Sequence, residues 1–242
     1  MSNYPTYRMF GEHAILLDWP ERIDLDIHNQ VFLYARFISK NFQDEIVETV
    51  IAYQSLVVYL NSETNAQLFI DTLKGRKIDI SELVTKEKHL ITIPVCYDPE
   101  FGPDIQKIAS THNQTISEVI ERHTAPNYKV YFLGFLPGFA YLGGLDQQLY
   151  TPRRNMPRPF IAKGSVGIGG TQTGIYPIDS PGGWNIIGKT PLHLFDATQV
   201  PPSMINAGDF IQFESISRSE FDLLQIEVDS GTFRWRKEVH YD

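Results

Sequence analysis

The sequence predicts an α+β protein, in which a small N-terminal α/β sandwich domain is followed by a C-terminal β-barrel domain. The first third of the chain alternates strand and helix patterns in the order β-α-β-β-α, which is typical of a small α+β sandwich. Later in the chain, 12 of the 17 glycines lie between Gly134 and Gly188, among short strand-like segments, and this favours a barrel. Between the two parts lies a charged stretch, residues 76–88, so the predicted domains are 1–88 and 89–242.

The composition is that of an ordinary globular protein, with 42% hydrophobic and 21% charged residues in a chain of 242. The net charge is −8, from 21 basic and 29 acidic residues, which argues against sequence-independent binding of nucleic acid. Cys96 is the only cysteine, so no intramolecular disulfide can form, as is common in a reducing compartment. The start of the chain lacks the apolar core of a signal peptide, and no segment approaches the ~20 apolar residues of a membrane helix. We therefore expect a cytoplasmic protein with neither a membrane nor a nucleic-acid partner.

The predicted N-terminal domain begins with a short strand at Ala14–Leu17. Ile27, Val31, Tyr34 and Ile38 then recur at i, i+4, i+7 and i+11, which indicates one face of a helix. Two runs rich in Val, Ile and Tyr follow with a polar pair between them, and they predict a hairpin. These runs are Ile46–Ala52 and Leu56–Leu60.

A second helix is predicted after the hairpin. Thr64 and Gln67 fit a capping box, apolar residues recur from Ala66 to Leu73, and Gly75 fits a C-cap. Residues 78–80 are expected to supply the last strand of this domain.

The predicted second domain opens with a strand at His89–Cys96. One helix is expected to begin at Pro103, and another at a capping box formed by Thr115 and Glu118. Short strands follow, separated by Gly/Pro turns; they are Val130–Phe135, Val166–Ile168, Gly174–Tyr176, Leu192–Phe195 and Phe210–Glu214.

Several familiar sites are excluded by the sequence. It has no HExxH pattern, and one cysteine cannot build a cysteine-based zinc site, so we predict no metal centre. The segment Gly183–Thr190 matches the sequence motif of a phosphate-binding loop, but such a loop needs a strand before it and a helix after it. Here Pro191 leads into a predicted strand, so we interpret the match as a turn-rich barrel loop.

Three other segments contain candidate functional residues, each with an alternative structural explanation. The glycine-rich run 164–174 would either line a ligand surface or form tight barrel corners. Residues 151–159 and Lys163 form a basic island that is either an anion-binding loop or a solvated one. The apolar segment 134–145 is expected to be partly core and partly a partner surface.

Two single residues also have two explanations each. Trp184 would either line a pocket or fill the barrel core. His193 would serve as an acid/base in a cleft or have a structural role, because a lone histidine on a strand is more often structural.

The same segments give the chain a recognisable signature. GFLPGFAYLGGL (134–145), TPRRNMPRP (151–159), GSVGIGGTQTGIYPIDSPGGW (164–184) and IGKTP (187–191) resemble the signature of the KipI family, also called the family of B-type 5-oxoprolinase subunits. The resemblance covers the whole chain. It implies that the C-terminal barrel is cyclophilin-like.

The resemblance further implies an enzyme component that acts with two others, the A-type and C-type chains of 5-oxoprolinase. The complex would open the lactam of 5-oxoproline to L-glutamate with ATP hydrolysis, and no confident ATP site is found on this chain. Candidate residues drawn from the signature fall into three groups. His193 is the candidate for catalysis, and the candidates for partner contacts are Phe135, Phe139 and Tyr141. The candidates for substrate binding are Arg153, Arg154, Arg158, Lys163, Gln172, Thr173, Tyr176 and Trp184.

Two other functions are also implied by the resemblance. One is inhibition of a sporulation-type sensor histidine kinase through the barrel surface. The other is half of a biotin-dependent carboxyltransferase, as in urea carboxylase, with biotin carried on another chain.

Overall fold

The computed structural model describes residues 4–22, 24–76 and 88–240. The chain divides into two compact units, Met1–Lys86 and Glu87–Asp242. Each unit buries its own hydrophobic core. The structure therefore has the predicted α+β class, with a small sheet-and-helix unit and a barrel unit.

The first unit is a four-stranded antiparallel sheet with two helices. Its strands are β1 (Thr6–Met9), β2 (Ala14–Asp18), β3 (Ile46–Ile51) and β4 (Ser55–Leu60), in the sheet order β1-β2-β4-β3, and its helices are α1 (Leu25–Asn41) and α2 (Ala66–Gly75). Apolar residues at helical spacing on α1, including Ile27, Val31 and Ile38, are buried in the core. The predicted strand at Ala14, the first helix and the hairpin are confirmed.

The start of α2 differs from the prediction. Asn65 is the N-cap, and its side-chain oxygen accepts a hydrogen bond from the N–H of Leu68 at 3.0 Å. The hydroxyl of Thr64 instead donates to Asn61 Oδ1 at 2.7 Å. The predicted capping box of Thr64 and Gln67 is therefore wrong, because the turn before the helix already uses the Thr64 hydroxyl.

The other differences in this unit are smaller. Gly75 is the last helical residue and Arg76 is the C-cap, so the predicted cap is displaced by one residue. Strand β1 was not predicted. The predicted strand at 78–80 lies outside the described residues.

The second unit is a β-barrel with flanking helices. Its strands are β5 (Lys88–Cys96), β6 (Asn127–Leu133), β7 (Ala140–Gly143), β8 (Arg158–Ile161), β9 (Ser165–Gly169), β10 (Gln172–Ile175), β11 (Ser180–Gly182), β12 (Asn185–Lys189), β13 (Phe210–Ile216) and β14 (Lys237–His240). Its helices are α3 (Ile105–Thr111), α4 (Ile116–Thr124) and α5 (Arg218–Asp229), with a short 3₁₀ helix at Gln147–Leu149.

Seven strands of the described chain close the barrel in the order β12-β9-β10-β7-β6-β13-β5. The ring closes where Lys189 of β12 pairs with Cys96 of β5. β14 pairs with the first half of β5, and β8 and β11 form a separate two-stranded ribbon. Inward-facing apolar residues, such as Ile91, Val166 and Phe213, fill the interior, so the barrel is a packed core.

The capping box that opens α4 is confirmed. The Thr115 hydroxyl accepts from the N–H of Glu118 at 3.2 Å, and the Glu118 carboxylate accepts from the N–H of Thr115 at 2.7 Å. Ile105, Ile108 and Ala109 are buried on α3 as predicted, but this helix begins at Ile105, two residues after Pro103.

One predicted strand of the second unit is wrong. Leu192–Phe195 joins no ladder, although Leu192 and Leu194 are buried and His193 is exposed. Alternating burial arises both in a paired strand and in an extended segment without strand partners. The sequence pattern alone therefore could not distinguish a strand from an extended segment here. In addition, β6 ends at Leu133, before the predicted end at Phe135.

Among the described residues, no helix combines the length and apolar character needed to cross a bilayer.

Candidate functional site

The basic loop, residues 151–159, is fastened to the barrel by a buried carboxylate. Arg158 donates to both oxygens of Asp104 at 2.8 and 2.9 Å, and Arg154 donates to Oδ1 at 2.9 Å. The Asp104 side chain is only 5% exposed. Its Oδ2 also accepts from the N–H of Ile186 on β12 at 2.7 Å. Bidentate arginine–carboxylate pairs fix geometry as well as charge, so Asp104 holds this loop against α3 and β12.

Sequence reasoning missed Asp104. An aspartate before a helix normally suggests an N-cap, and Asp104 does occupy that position on α3. Its side chain makes no capping hydrogen bond, because both oxygens are engaged by the arginines and by Ile186. Two guanidinium groups share this one carboxylate, so the group of Arg154, Arg158 and Asp104 keeps a net positive charge. That Arg154 and Arg158 contact substrate stays a prediction.

A second feature is the aromatic cluster, which we define as Phe135, Phe139, Tyr141, Tyr176 and Trp184. Phe139 is its centre, with edge-on contacts to each of the other rings at centroid distances of 5.1–5.6 Å. The cluster therefore brings together residues predicted for partner binding and residues predicted for substrate binding.

Arg153 lies beside this cluster. Its guanidinium carbon is 6.0 Å from the ring centroid of Trp184, a cation–π distance. The side chain belongs to an exposed stretch of the basic loop, and within the described residues no carboxylate forms an ion pair with it. Its charge is thus available to an anion.

Two tyrosine hydroxyls lie within the electrostatic reach of Arg153. Burial raises the pKa of Tyr141 and of Tyr176, and the nearby Arg153 charge opposes that rise for both. The backbone N–H of Trp184 also donates to the Tyr176 hydroxyl, which further opposes the rise in its pKa. Both phenols therefore stay protonated near neutral pH and keep an O–H donor.

Phe135 stands at the rim of the cluster in an unusual conformation. Its φ is +67°, in the left-handed region, and its side chain is 64% exposed. A bulky residue with positive φ is strained, and such strain concentrates at functional sites. The neighbouring Gly138 also has positive φ, and a Cβ there would lie 2.7 Å from the Cβ of Phe195.

Lys163 and His193, both predicted site residues, form a separate pair. Lys163 Nζ lies 3.4 Å from His193 Nε2, and Asp229 Oδ1 lies 3.7 Å from the same nitrogen. His193 and Asp229 are well exposed, and among described residues no hydrogen bond or ring contact joins Lys163 or His193 to the aromatic cluster. The catalytic role of His193 stays a prediction.

Thr173 lies in the barrel interior, where its hydroxyl has two hydrogen-bond partners. Its hydroxyl donates to the carbonyl of Gly167 at 3.0 Å and lies 2.8 Å from His123 Nε2. The other ring nitrogen of His123 is 2.7 Å from the Tyr97 hydroxyl. Complete burial lowers the pKa of His123 to about 3, so the ring is neutral and donates to Thr173. Gln172, the preceding residue, is half-buried at the start of β10.

The glycine-rich run forms the β9–β10 hairpin and packs closely on Trp184. A Cβ at Gly169 would lie 2.5 Å from the Trp184 ring, so only glycine fits there without a shift. The interpretation of Gly183–Thr190 as a turn-rich barrel loop is wrong, because Asn185–Lys189 form strand β12. Extended chain, and not a helix, follows the segment. Lys189 within it lies 5.7 Å from the ring centroid of Phe101. These residues therefore do not form a phosphate-binding loop of the kind that binds a nucleoside triphosphate.

Comparison with known proteins identifies the family. The family model for the carboxyltransferase domain, subdomain C and D, matches residues 5–205. The B-type 5-oxoprolinase subunit of Bacillus subtilis is 37% identical over 222 residues, which cover 87% of this chain and 92% of that protein. The protein of the same name from Haemophilus influenzae is 38% identical over 203 residues, covering 84% and 94%. The urea amidolyase of Lachancea kluyveri is 23% identical, covering 94% of this chain but 14% of that protein.

Two solved structures are also similar to this chain. The conserved uncharacterized protein PH0987 from Pyrococcus horikoshii is 41% identical, with a TM-score of 0.54, covering 89% of this chain and all of that chain. TTHA0988 is 29% identical, with a TM-score of 0.73 over 84% of this chain. This chain spans only 40% of the length of TTHA0988. The protein belongs to the family of B-type 5-oxoprolinase subunits, and its chain matches the carboxyltransferase subdomain C and D model.

Proposed function

We propose that this chain is one component of an ATP-dependent 5-oxoprolinase, which opens the lactam of 5-oxoproline to L-glutamate. Identity of 37–38% to proteins named as B-type 5-oxoprolinase subunits supports the family part of this proposal. The observation that carries the site is Arg153, a cation without a carboxylate partner in the described chain, placed over Trp184 and near two protonated tyrosines.

The proposed substrate matches this arrangement chemically. 5-Oxoproline is a small ring with apolar methylene groups, a lactam carbonyl and a carboxylate. The exposed ring of Phe135 suits the methylene groups and Arg153 suits an anionic oxygen, while the buried rings of Phe139, Tyr176 and Trp184 support this rim from below. Attack of water on the lactam carbon places negative charge on the carbonyl oxygen, and preorganised donors stabilise such an oxyanion.

The arginines of the basic loop then have different roles. Arg153 would contact the anion directly, whereas Arg158 would position the loop through Asp104. Arg153→Ala and Arg158→Ala are each expected to reduce turnover while the subunits still assemble. Unchanged turnover in both variants would remove these residues from the site.

ATP enters the proposal as a substrate of the assembled complex, and no step is routed through a nucleotide site on this chain. Asn185–Lys189, within the segment that matches the phosphate-loop motif, form strand β12. The exposed, strained Phe135 at the rim of the aromatic cluster is a suitable contact for a partner that completes the site. Assembly in the cytoplasm belongs to the same proposal.

Omission of one component tests the proposal. This chain is co-expressed with its two candidate partners, and glutamate formation from 5-oxoproline and ATP is compared with a preparation that lacks only this chain. Glutamate that forms only when all three chains are present supports the proposal. Equal glutamate without this chain contradicts it.

A carboxyltransferase half is the second candidate function. The match to the carboxyltransferase subdomain C and D model and the similarity to urea amidolyase favour it. It predicts transfer of a carboxyl group from carboxybiotin on a separate carrier when this chain and a complementary partner are supplied. The absence of such transfer, with glutamate formation intact, would leave only the first function.

A further inference from the structure

A cleft in the first unit has features of a binding site that the proposed function does not use. It is open to solvent and has a volume of about 610 Å³, within the range of roughly 300–1,000 Å³ that small-molecule sites occupy. Three tyrosines line it, together with Leu73 and two basic residues, Lys74 and Arg76. β1 supplies Tyr7, α1 supplies Tyr34, and α2 with its C-cap supplies the basic pair, so separate elements converge on one space.

The tyrosine hydroxyls provide a donor inside the cleft. Tyr7 and Tyr34 both line the cleft, and their hydroxyl groups influence each other electrostatically. The O–H of a protonated phenol can donate to a ligand. Burial raises the pKa of both phenols, so both remain protonated across the physiological range.

The basic residues provide positive charge at the same place. Lys74 Nζ lies 5.9 Å from the ring centroid of Tyr7, and the Arg76 guanidinium lies 5.0 Å from that of Phe42. Within the part of the chain that the structure describes, neither cation forms an ion pair, whereas Arg8 and Arg22 of the same unit pair with Asp18 and Asp24. Lys74 and Arg76 therefore place two positive charges without such a partner along the lining of one cleft.

The remaining wall is aromatic and accessible. Tyr4 is 46% exposed at the cleft, and the buried side chain of Leu73 closes its floor. A planar or apolar body can pack on these side chains while its charged end reaches Lys74 and Arg76.

From this geometry we propose that the cleft of Tyr7, Tyr34, Lys74 and Arg76 binds a small molecule that carries an oxyanion, either carboxylate or phosphate, on an aromatic or planar body. The cations hold the oxyanion, a tyrosine hydroxyl donates to it, and the tyrosine rings pack against the body. The site is independent of the aromatic cluster in the second unit and of the proposed enzymatic activity.

The test is calorimetric titration of the full chain with three matched probes: benzoate, phenyl phosphate and benzamide. Benzoate or phenyl phosphate is expected to bind saturably, and neutral benzamide at least about tenfold more weakly, a difference of about 1.4 kcal/mol. The tighter of the two anions identifies the oxyanion source.

Variants locate the binding. Lys74→Ala combined with Arg76→Ala is expected to weaken anion binding at least about tenfold. Tyr34→Phe is expected to weaken it less. Lys40→Ala combined with Lys107→Ala, which also removes two positive charges but none from the cleft, serves as the charge-matched control with no effect. Circular dichroism of each variant confirms folding. No saturable binding of either anion, or equal binding by the double variant and the wild type, would overturn the proposal.

Discussion

Replacing Asp104 by Asn tests whether the buried carboxylate fastens the basic loop. The substitution keeps the size of the side chain but removes the charge that two guanidinium groups share. Removing one partner of a buried ion pair typically costs about 3–5 kcal/mol of the free energy of unfolding. The side chains of Arg154 and Arg158 are 30% and 24% exposed, so their guanidinium groups can gain some hydration and we expect a loss of about 2–4 kcal/mol.

Equilibrium unfolding in guanidinium chloride measures this loss. For a slope of about 4 kcal/mol/M, the midpoint is expected to fall by about 0.5–1 M. The control is Asp222→Asn on α5, which removes an exposed i,i+4 pair with Arg218 and is expected to cost less than about 1 kcal/mol. Equal midpoints for the Asp104 and Asp222 variants would refute the role given to Asp104.

The remaining predictions concern the barrel interior and its glycines. The pKa of His123 is lowered to about 3, so between pH 6.5 and pH 3 the unfolded chain binds a proton at His123 that the folded chain does not, and stability falls as pH is lowered through this window. His123→Leu removes that dependence on pH. The free energy of unfolding of the wild type minus that of the variant, measured in urea, is therefore expected to fall by about 2 kcal/mol from pH 7 to pH 5. The same difference at both pH values would contradict the lowered pKa of His123. Gly169→Ala places a Cβ 2.5 Å from Trp184 and is expected to destabilise by about 1–3 kcal/mol in thermal unfolding. Gly75→Ala, with open space around the Cβ, is the matched control and is expected to be neutral or slightly stabilising; similar effects of the two changes would argue against the packing described for Gly169.

Local patterns predicted much of the fold. Helical spacing of apolar residues located α1, and the paired hydroxyl and carboxylate of Thr115 and Glu118 located the start of α4. These signals are local, since a few neighbouring residues determine them. The capping prediction at Thr64 failed because its hydroxyl bonds to Asn61, in a turn whose geometry the pattern does not encode.

The candidate site could be predicted only in part. The signature segments contained Phe139, Tyr176, Trp184 and Arg153, and the structure shows these residues in contact with one another or within electrostatic reach. Asp104 lies 50 residues before Arg154, and their pairing depends on how the barrel closes. For the same reason, sequence reasoning could not tell that Thr173 faces the buried ring of His123.

The central claim is that Arg153 serves the opening of 5-oxoproline at the aromatic cluster. The most direct measurement is kcat/KM for glutamate formation by the reconstituted three-component complex, with the wild-type chain, Arg153→Lys and Arg153→Ala. Arg153→Ala is expected to lower kcat/KM about tenfold or more, and Arg153→Lys to retain part of it, because lysine keeps the charge but not the planar fork. An Arg153→Ala complex that assembles and turns over like the wild type would rule out this role of Arg153.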